Sequence, residues 1–302
     1  MQNLDEQLRQ FLRESSFNTG GAVITDLDGT VVHETQGQIR IPVAVEAALK
    51  ALYEQDHSLV LNTLRFPLSV IRTLGREWYA LARHPIPLVT LNGSQTGWIT
   101  MVNGELVFEE IAGFPLTAAE IEEILIGISG LLTSGVRDIL VFYYPRDWRI
   151  GEVVWTPVAE KVPQVKLKYS SASAVTAVTF DKLHQQLVQE EISMIFLLVD
   201  IPHDKLMAYQ HTRRSNFFTH TGVDKQSGAR QIAAHLGMNL ADSVGAGDTE
   251  MDVFLKDVGL ALMVGNASLP FRGVRCTIKL QTLVELGAVL FRLAELRGEA
   301  AR

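Results

Sequence analysis

Short apolar runs alternate with amphipathic segments along most of this chain. Ala22 to Thr25 is apolar and partly β-branched, the composition of a buried strand. Val43 to Tyr53 carries apolar positions at helical spacing. Leu59 to Leu61 reads as a second strand, Pro67 to Leu81 as a second helix and Leu88 to Leu91 as a third strand. Strand, helix, strand, helix, strand predicts a parallel sheet covered by helices. Ahead of it, Leu4, Leu8, Phe11 and Leu12 share one helical face, which predicts a short amphipathic helix packed on the body or on a partner.

The texture changes after Asn92-Gly93. Trp98 to Val102 and Glu105 to Glu109 flank Asn103-Gly104, a hairpin signal because both turn residues must take positive φ. Thr117 to Leu132 reads as a helix with Thr117 as cap and Glu120 three residues on. Ile139 to Tyr144, Glu152 to Trp155 and Ile192 to Val199 read as strands, and Phe180 to Glu190 as a helix. Together they predict a separate α/β domain, at roughly residues 94–214, built around an antiparallel sheet. Alternation of the parallel kind resumes at Phe217. A helix from Gln226 to Leu236 precedes a strand at Ser243 to Ala246. A helix around Glu250 to Lys256 precedes a strand at Leu260 to Val264, and a last helix runs from about Leu280 to Leu296. No internal repeat or low-complexity stretch interrupts the pattern. The expected fold class is α/β, a doubly wound parallel-sheet core with an inserted α/β domain. Residues 1–93 plus 215–302 form the core, with 1–20 as a helical extension, and 94–214 form the insertion.

Composition narrows the function classes. At 302 residues the chain has room for two domains. Hydrophobic residues make up 47% and charged residues 20%, an ordinary globular balance. The net charge of −7 argues against non-specific nucleic-acid binding, which needs a basic excess. An anionic ligand would have to be held by a few placed cations and a metal. The one cysteine, Cys276, cannot form an intrachain disulfide, which suits a reducing compartment. Met1 to Phe17 carries Asp5, Glu6, Arg9, Arg13 and Glu14 and lacks the apolar run of a signal peptide. No apolar stretch approaches the ~20 residues needed to cross a bilayer. The expectation is a cytoplasmic protein with no membrane partner.

Four pieces carry candidate chemistry. Asp26 and Asp28, in Asp26-Leu-Asp28-Gly29-Thr30, stand just beyond the first strand. In an open parallel sheet, ligands bind beyond the carboxyl ends of the strands. One carboxylate there can attack phosphorus and a second can move the proton. Alone, the same string is also an ordinary Asp/Gly turn. Asp248 and Asp252, in Gly247-Asp248-Thr-Glu-Met-Asp252, follow another apolar strand. Hard oxygens at that spacing suit Mg²⁺, although an acidic helix start has the same look. Thr63 ends the second strand and could hold a phosphate oxygen, or simply end a strand. Lys225 precedes a helix, where it could neutralise a nucleophile and a phosphate or be solvated surface.

Taken in order, these pieces resemble the four motifs of the haloacid dehalogenase (HAD) superfamily. Asn92-Gly93 after the third strand and Met263-Val-Gly265-Asn266-Ala267 after the fourth motif resemble its Cof-like branch. That branch carries a large α/β cap between the second and third motifs, where the 94–214 insertion lies. The resemblance spans nearly the whole chain from residue 20 and implies a Rossmann-like core. It implies Asp26 as nucleophile and Mg²⁺ ligand, and Asp28 as general acid/base with its backbone carbonyl on the metal. It implies Thr63 and Lys225 as phosphoryl-binding groups, Asp248 and Asp252 as the rest of the metal site, Asn266 as a position near the active-site rim, and Asn92 and Asn266 as candidate substrate contacts. The implied activity is a magnesium-dependent phosphatase acting on a small phosphorylated metabolite, such as a sugar phosphate, through an aspartyl phosphate. In the insertion, Arg146 and Trp148 belong to a polar-aromatic stretch that suits a polar leaving group, or that ends a core strand in a surface turn.

The pattern departs at three places. Leu64 stands where glycine is usual, Gln226 follows the third-motif lysine in place of glycine, and Met251 replaces asparagine before the last aspartate. Leu64 bears on the phosphate pocket and Met251 on metal affinity. A phosphomutase or phosphotransferase on the same scaffold, or a non-catalytic phosphometabolite-binding protein, are the competing readings. The N-terminal helix would serve as a homodimer contact or pack on the core.

Overall fold

The computed structural model describes residues 2–35, 38–82, 85–200, 213–266 and 268–300. The chain divides into two compact units. The first comprises residues 1–65, 70–112 and 223–302, and the second residues 66–69 and 113–222.

The first unit is built on an eight-stranded sheet. Its central strand β1 (Ala22–Thr25) is buried along its length, as its unbroken apolar run requires. A short ribbon follows, β2 (His33–Thr35) with β3 (Gln38–Arg40). Then come β4 (Ser58–Asn62), β5 (Ile86–Thr90), β6 (Gln95–Val102) and β7 (Glu105–Gly113). The remaining strands of the chain are β8 (Asp138–Pro145), β9 (Val153–Trp155), β10 (Ala174–Thr176), β11 (Ile192–Asp200), β12 (Arg213–Phe218), β13 (Val244–Gly247), β14 (Leu260–Val264) and β15 (Cys276–Leu280). The large sheet has the order β15-β14-β13-β1-β4-β5-β6-β7. From β15 to β5 every pair is parallel, with Val23 of β1 beside Leu59 on one side and Val244 on the other. The chain therefore leaves β1 towards one half of the sheet and later returns on the opposite side. Such a switch point opens a crevice beyond the strand ends, where a site can form.

Helices close both faces. Lys225–Leu236 places Ala229 and Ile232 against Ile24, Val60 and Val89 of the sheet. Val43–Tyr53 packs against Leu283–Ala300, close enough that a Cβ on Gly287 would collide with the Ala44 backbone. The N-terminal helix Gln2–Glu14 buries Leu8, Phe11 and Leu12. Arg292 pairs with Asp5 at 2.6 Å, so this helix packs on the body. Among the described residues no helix is long and apolar enough to cross a membrane.

The second unit holds a five-stranded sheet, order β10-β9-β8-β11-β12. It is antiparallel except for the pair of β9 with β10. Helices Ala118–Thr133 and Phe180–Gln189 cover one face through Ile121, Leu125, Leu183 and Leu187. The capping box expected at Thr117 is formed. Glu120 Nα–H donates to Thr117 Oγ1, and the Glu120 carboxylate accepts from Thr117 N at 2.7 Å.

Several expectations need correction. The Asn103-Gly104 turn forms with φ of 52° and 83°, but its hairpin does not belong to the insertion. Strand β6 pairs antiparallel with β5, Val89 beside Thr96 and Pro87 beside Trp98, and so extends the first sheet. The cause is the left-handed backbone of Leu91, Asn92 and Gly93, which reverses the chain onto the β5 edge. The second unit accordingly begins near residue 113 and not 94. At its other end, Phe217 pairs with Phe196 within the second sheet, so parallel alternation does not resume there. The helix expected over Pro67–Leu81 is broken by a π-turn at Ile71–Gly75. Around Glu250 to Lys256 only a 3₁₀ segment, Val253–Lys256, forms. There the Asp252 carboxylate accepts from the Asp248 and Thr249 N–H groups. Strands β10 and β15, too short or too mixed to register as apolar runs, were not anticipated.

Candidate active site

Asp26 follows β1, and its N–H donates to the Ala246 carbonyl at 3.0 Å, which continues the β1–β13 pairing one step past the strand. Its side chain is buried. Lys225 Nζ donates to Asp26 Oδ1 at 2.6 Å and to Asp252 Oδ1 at 2.7 Å. Lys225 opens its helix, where Asp224 and Ser227 form a capping box. Asn62 Nδ2 donates to the Lys225 carbonyl at 2.9 Å, tying this helix start to the end of β4. Lys225 is therefore a buried, doubly paired cation, and the surface reading of that lysine is excluded.

Asp252 turns its other oxygen to the loop after β13. Oδ2 accepts from Asp248 N and Thr249 N, each at 2.9 Å, and from Thr249 Oγ1 at 3.2 Å. Asp248 stands beside it, its Oδ1 accepting from Thr30 Oγ1 at 3.1 Å. Gly29 packs against that carboxylate at φ 80°, and any side chain there would overlap Asp248 Oδ2. Asp26, Asp248 and Asp252 each bring an oxygen within 4.8 Å of the others.

Three carboxylates share one ammonium, and the electrostatics follow. Burial pushes Asp26 up to about 7 despite Lys225, and the charges of Asp252 and Asp248 push the same way. Burial, then Asp252, raises Asp248 as well. Burial opposes the charge on Lys225, but Asp26 and Asp252 outweigh it and hold its pKa above the ordinary value. Such a cluster keeps a proton unless another cation neutralises it. A set of hard carboxylate oxygens at this separation fits a divalent cation of the Mg²⁺, Mn²⁺ or Ca²⁺ kind.

The other anticipated residues are placed differently. Asp28 is half-exposed and outside the cluster. Arg65 grips its carboxylate in a fork, Nε to Oδ2 at 2.7 Å and Nη2 to Oδ1 at 2.6 Å. Thr63 is buried at the end of β4, its N–H on the Val89 carbonyl at 2.9 Å and its Oγ1 accepting from Arg65 N at 3.1 Å. Asn92 is left-handed, with φ 57° and ψ 32°, and its N–H donates to the Thr63 carbonyl at 3.4 Å. Asn266 is exposed, two residues past β14. Arg146 and Trp148 lie in the second unit. There Arg146 N–H donates to the Glu191 carbonyl at 2.8 Å and its guanidinium pairs with the Glu191 carboxylate at 3.2 Å. Trp148 lies under the Arg149 guanidinium at 5.0 Å.

Sequence reasoning gave no role to Thr30, Thr249 or Arg65. Thr30 and Thr249 lie inside the two aspartate strings, so a hydroxyl within two residues of a motif carboxylate was the available signal. Nothing in the sequence linked Arg65 to Asp28. Of the three departures, Gln226 donates from Nε2 to Asp257 Oδ1 at 2.9 Å. Met251 N–H donates to Thr249 Oγ1 at 3.3 Å, and Leu64 is half-buried.

Fold and site together define a doubly wound α/β protein with a lysine-bridged carboxylate cluster at its switch point. The family model of haloacid dehalogenase-like hydrolases matches residues 23–271, and the chain belongs to that family. Solved structures agree in fold. A HAD subclass IIB sugar phosphatase, BT4131, superposes with a TM-score of 0.60 at 16% identity, covering 93% of this chain and 99% of its own. The phosphatase BT1666 from Bacteroides thetaiotaomicron gives 0.62 at 14% identity, covering 93% and 96%. TM0651 from Thermotoga maritima gives 0.61 at 15%, covering 91% and 97%. No curated protein matches the sequence.

Proposed function

We propose that this hydrolase is a magnesium-dependent phosphatase that releases phosphate from a small phosphorylated metabolite, of the sugar-phosphate class, through an aspartyl phosphate on Asp26. The observation that carries the proposal is the buried Lys225 ammonium held between Asp26 and Asp252 at 2.6 and 2.7 Å. Phosphoryl transfer needs in-line positioning and charge neutralisation more than any other help. A lysine fixed on the attacking carboxylate supplies both.

In this reading one Asp26 oxygen attacks phosphorus as the ester P–O bond breaks. Asp28 gives its proton to the leaving oxygen. Asp28 then takes a proton from the water that attacks the aspartyl phosphate, which frees inorganic phosphate and restores Asp26. Such acid–base help is typically worth ~10²–10⁴-fold. Lys225 neutralises the charge shared by the carboxylate and the phosphoryl oxygens, and Thr63 contributes a hydroxyl at the end of β4. Asp26 and Asp248 would hold the metal, with the Asp28 carbonyl. Both Asp252 oxygens are already engaged by Lys225 and the 248–249 loop, so Asp252 would act mainly by fixing those groups. When bound, the divalent ion would supply charge stabilisation at the phosphoryl oxygens. Residues 1–112 with 223–302 would be the catalytic core and 113–222 the cap. The cap's polar-aromatic stretch, with Arg146 and Trp148, would select the leaving group, and Asn92 and Asn266 would lie on the substrate side. The sugar-phosphate assignment draws on that stretch and on the sugar phosphatase BT4131 among the structural neighbours. The cytoplasm is the proposed compartment.

The test is phosphate release from a panel of phosphorylated metabolites and an aryl phosphate, in Mg²⁺ with and without chelator. Chelator-sensitive release by the native protein and none by Asp26→Asn are expected. Full magnesium-dependent activity in Asp26→Asn refutes the assigned nucleophile. Transfer to a sugar hydroxyl without free phosphate refutes water as acceptor. A changed substrate profile in Arg146→Ala and Trp148→Ala is the expected mark of a selecting cap.

A further inference from the structure

Asp28 has half its side chain in solvent, yet the proposed chemistry needs it at one place in two successive steps. A solvated carboxylate turns freely about both side-chain torsions, and misplacing a catalytic group by about 1 Å can cost ~10²-fold in rate. The structure removes that freedom with Arg65. The guanidinium donates to both Asp28 oxygens, at 2.7 and 2.6 Å, and a planar fork of this kind fixes the plane of the carboxylate as well as its position. Arg65 is the more buried partner, its side chain 16% exposed against 54% for Asp28.

Arg65 is itself tied on every side. Its N–H donates to Thr63 Oγ1 at 3.1 Å. Its carbonyl accepts from the Thr90 hydroxyl and from Leu91 N at 3.2 Å, and Nη1 donates to Thr73 Oγ1 at 3.1 Å. Thr73 is the middle residue of the π-turn at Ile71–Gly75. Wide turns of this kind are rare and collect at functional sites. Here the turn sets the register that brings Thr73 to the guanidinium.

We infer that Arg65 is the positioning residue for Asp28, and that the π-turn at Ile71–Gly75 serves to hold Arg65 in place through Thr73. The inference rests on the phosphatase reading above. Arg65 acts on the proton that Asp28 gives to the leaving oxygen as the P–O bond breaks.

Two substrates separate the roles. An alkyl phosphate leaves as a poor alkoxide and needs the Asp28 proton, whereas p-nitrophenyl phosphate leaves as a stabilised anion and does not. Arg65→Ala is expected to lower kcat/KM for the alkyl phosphate by about 10²-fold and to leave kcat/KM for p-nitrophenyl phosphate nearly unaffected, because that ratio reports the steps up to loss of the leaving group, before the hydrolysis that both substrates share. In an Asp28→Asn background, Arg65→Ala should change nothing further. Thr73→Val should show the same split at smaller size, and it decides the matter if Arg65→Ala does not fold. Arg65→Lys keeps the charge without the fork and should not restore the alkyl rate. A rise in KM for both substrates, or an effect additive with Asp28→Asn, overturns the inference while the phosphatase reading stands. A native protein that releases phosphate from neither substrate refutes that reading, and the inference with it.

Discussion

Lys225 is the side chain whose removal can be worked through most fully. It is 2% exposed and pairs with Asp26 at 2.6 Å and Asp252 at 2.7 Å. At an effective dielectric of about 20, each pair is worth ~6 kcal/mol in Coulomb energy. Desolvation of three buried charges offsets most of that, but deleting one member leaves the others buried and unpaired, at a typical cost of ~3–5 kcal/mol. Lys225→Met keeps the aliphatic volume and leaves Asp26, Asp248 and Asp252 with no cation. The folded-state pKa values of Asp26 and Asp248, already raised by burial, then lie further above the unfolded value, and a carboxyl group with a raised folded pKa binds protons more tightly when folded. Its stabilising effect is complete at acid pH and is lost as pH rises through the folded pKa. Asp26 already stands at about 7, so the window extends upward from there in the variant. The expected loss is ~3–5 kcal/mol at pH 8, shrinking towards pH 5. At roughly 2–4 °C per kcal/mol for a domain of this size, melting falls by ~6–20 °C. Millimolar Mg²⁺ should recover part of it, since a ligand of the folded state alone stabilises that state. Calorimetry from pH 5 to 8, with and without Mg²⁺, reads all three quantities. Native-like melting at pH 8, or an equal loss at both ends of the range, would refute the charge argument.

Gly29→Ala puts a methyl at φ 80° into Asp248 Oδ2. A stability loss of about 1–3 kcal/mol and weaker Mg²⁺ binding by calorimetric titration are expected. His57 is buried with Nδ1 on the Gly21 carbonyl at 2.9 Å, its ring stacked on Phe17 and its Nε2 unpartnered. Burial lowers its pKa, so the unfolded chain binds the proton more readily, and stability should fall as pH drops below about 6.5. His57→Gln should flatten that limb of the melting-versus-pH curve. For Glu120, burial is outweighed by hydrogen bonds from His220, Thr221 and Thr117, which hold its carboxyl well below the usual range. Its stabilising effect is present above the unfolded pKa near 4.5 and is lost as pH falls. Glu120→Ala should cost about 1–2 kcal/mol at pH 7, read by denaturant unfolding, and an unchanged midpoint would count against the cap.

What the sequence determined by itself is what a few neighbouring residues can enforce. β1 and β14 were readable because three and five consecutive apolar residues leave no polar face. The Thr117–Glu120 box and the Asn103-Gly104 turn were readable because capping and positive φ are satisfied within three residues. The aspartates stood out because each follows an apolar strand, and their order along the chain pointed to the family. Tertiary structure decided everything that depends on which strand lies beside which. It placed the β6–β7 hairpin on the first sheet, since a two-residue turn fixes a hairpin but not the edge it joins. It set Lys225 against Asp26 across 199 positions of sequence, and Arg65 against Asp28 across 37. No local propensity encodes such pairings. They exist because parallel strands bring distant segments to one sheet end, where buried charges must find partners or lose their charge.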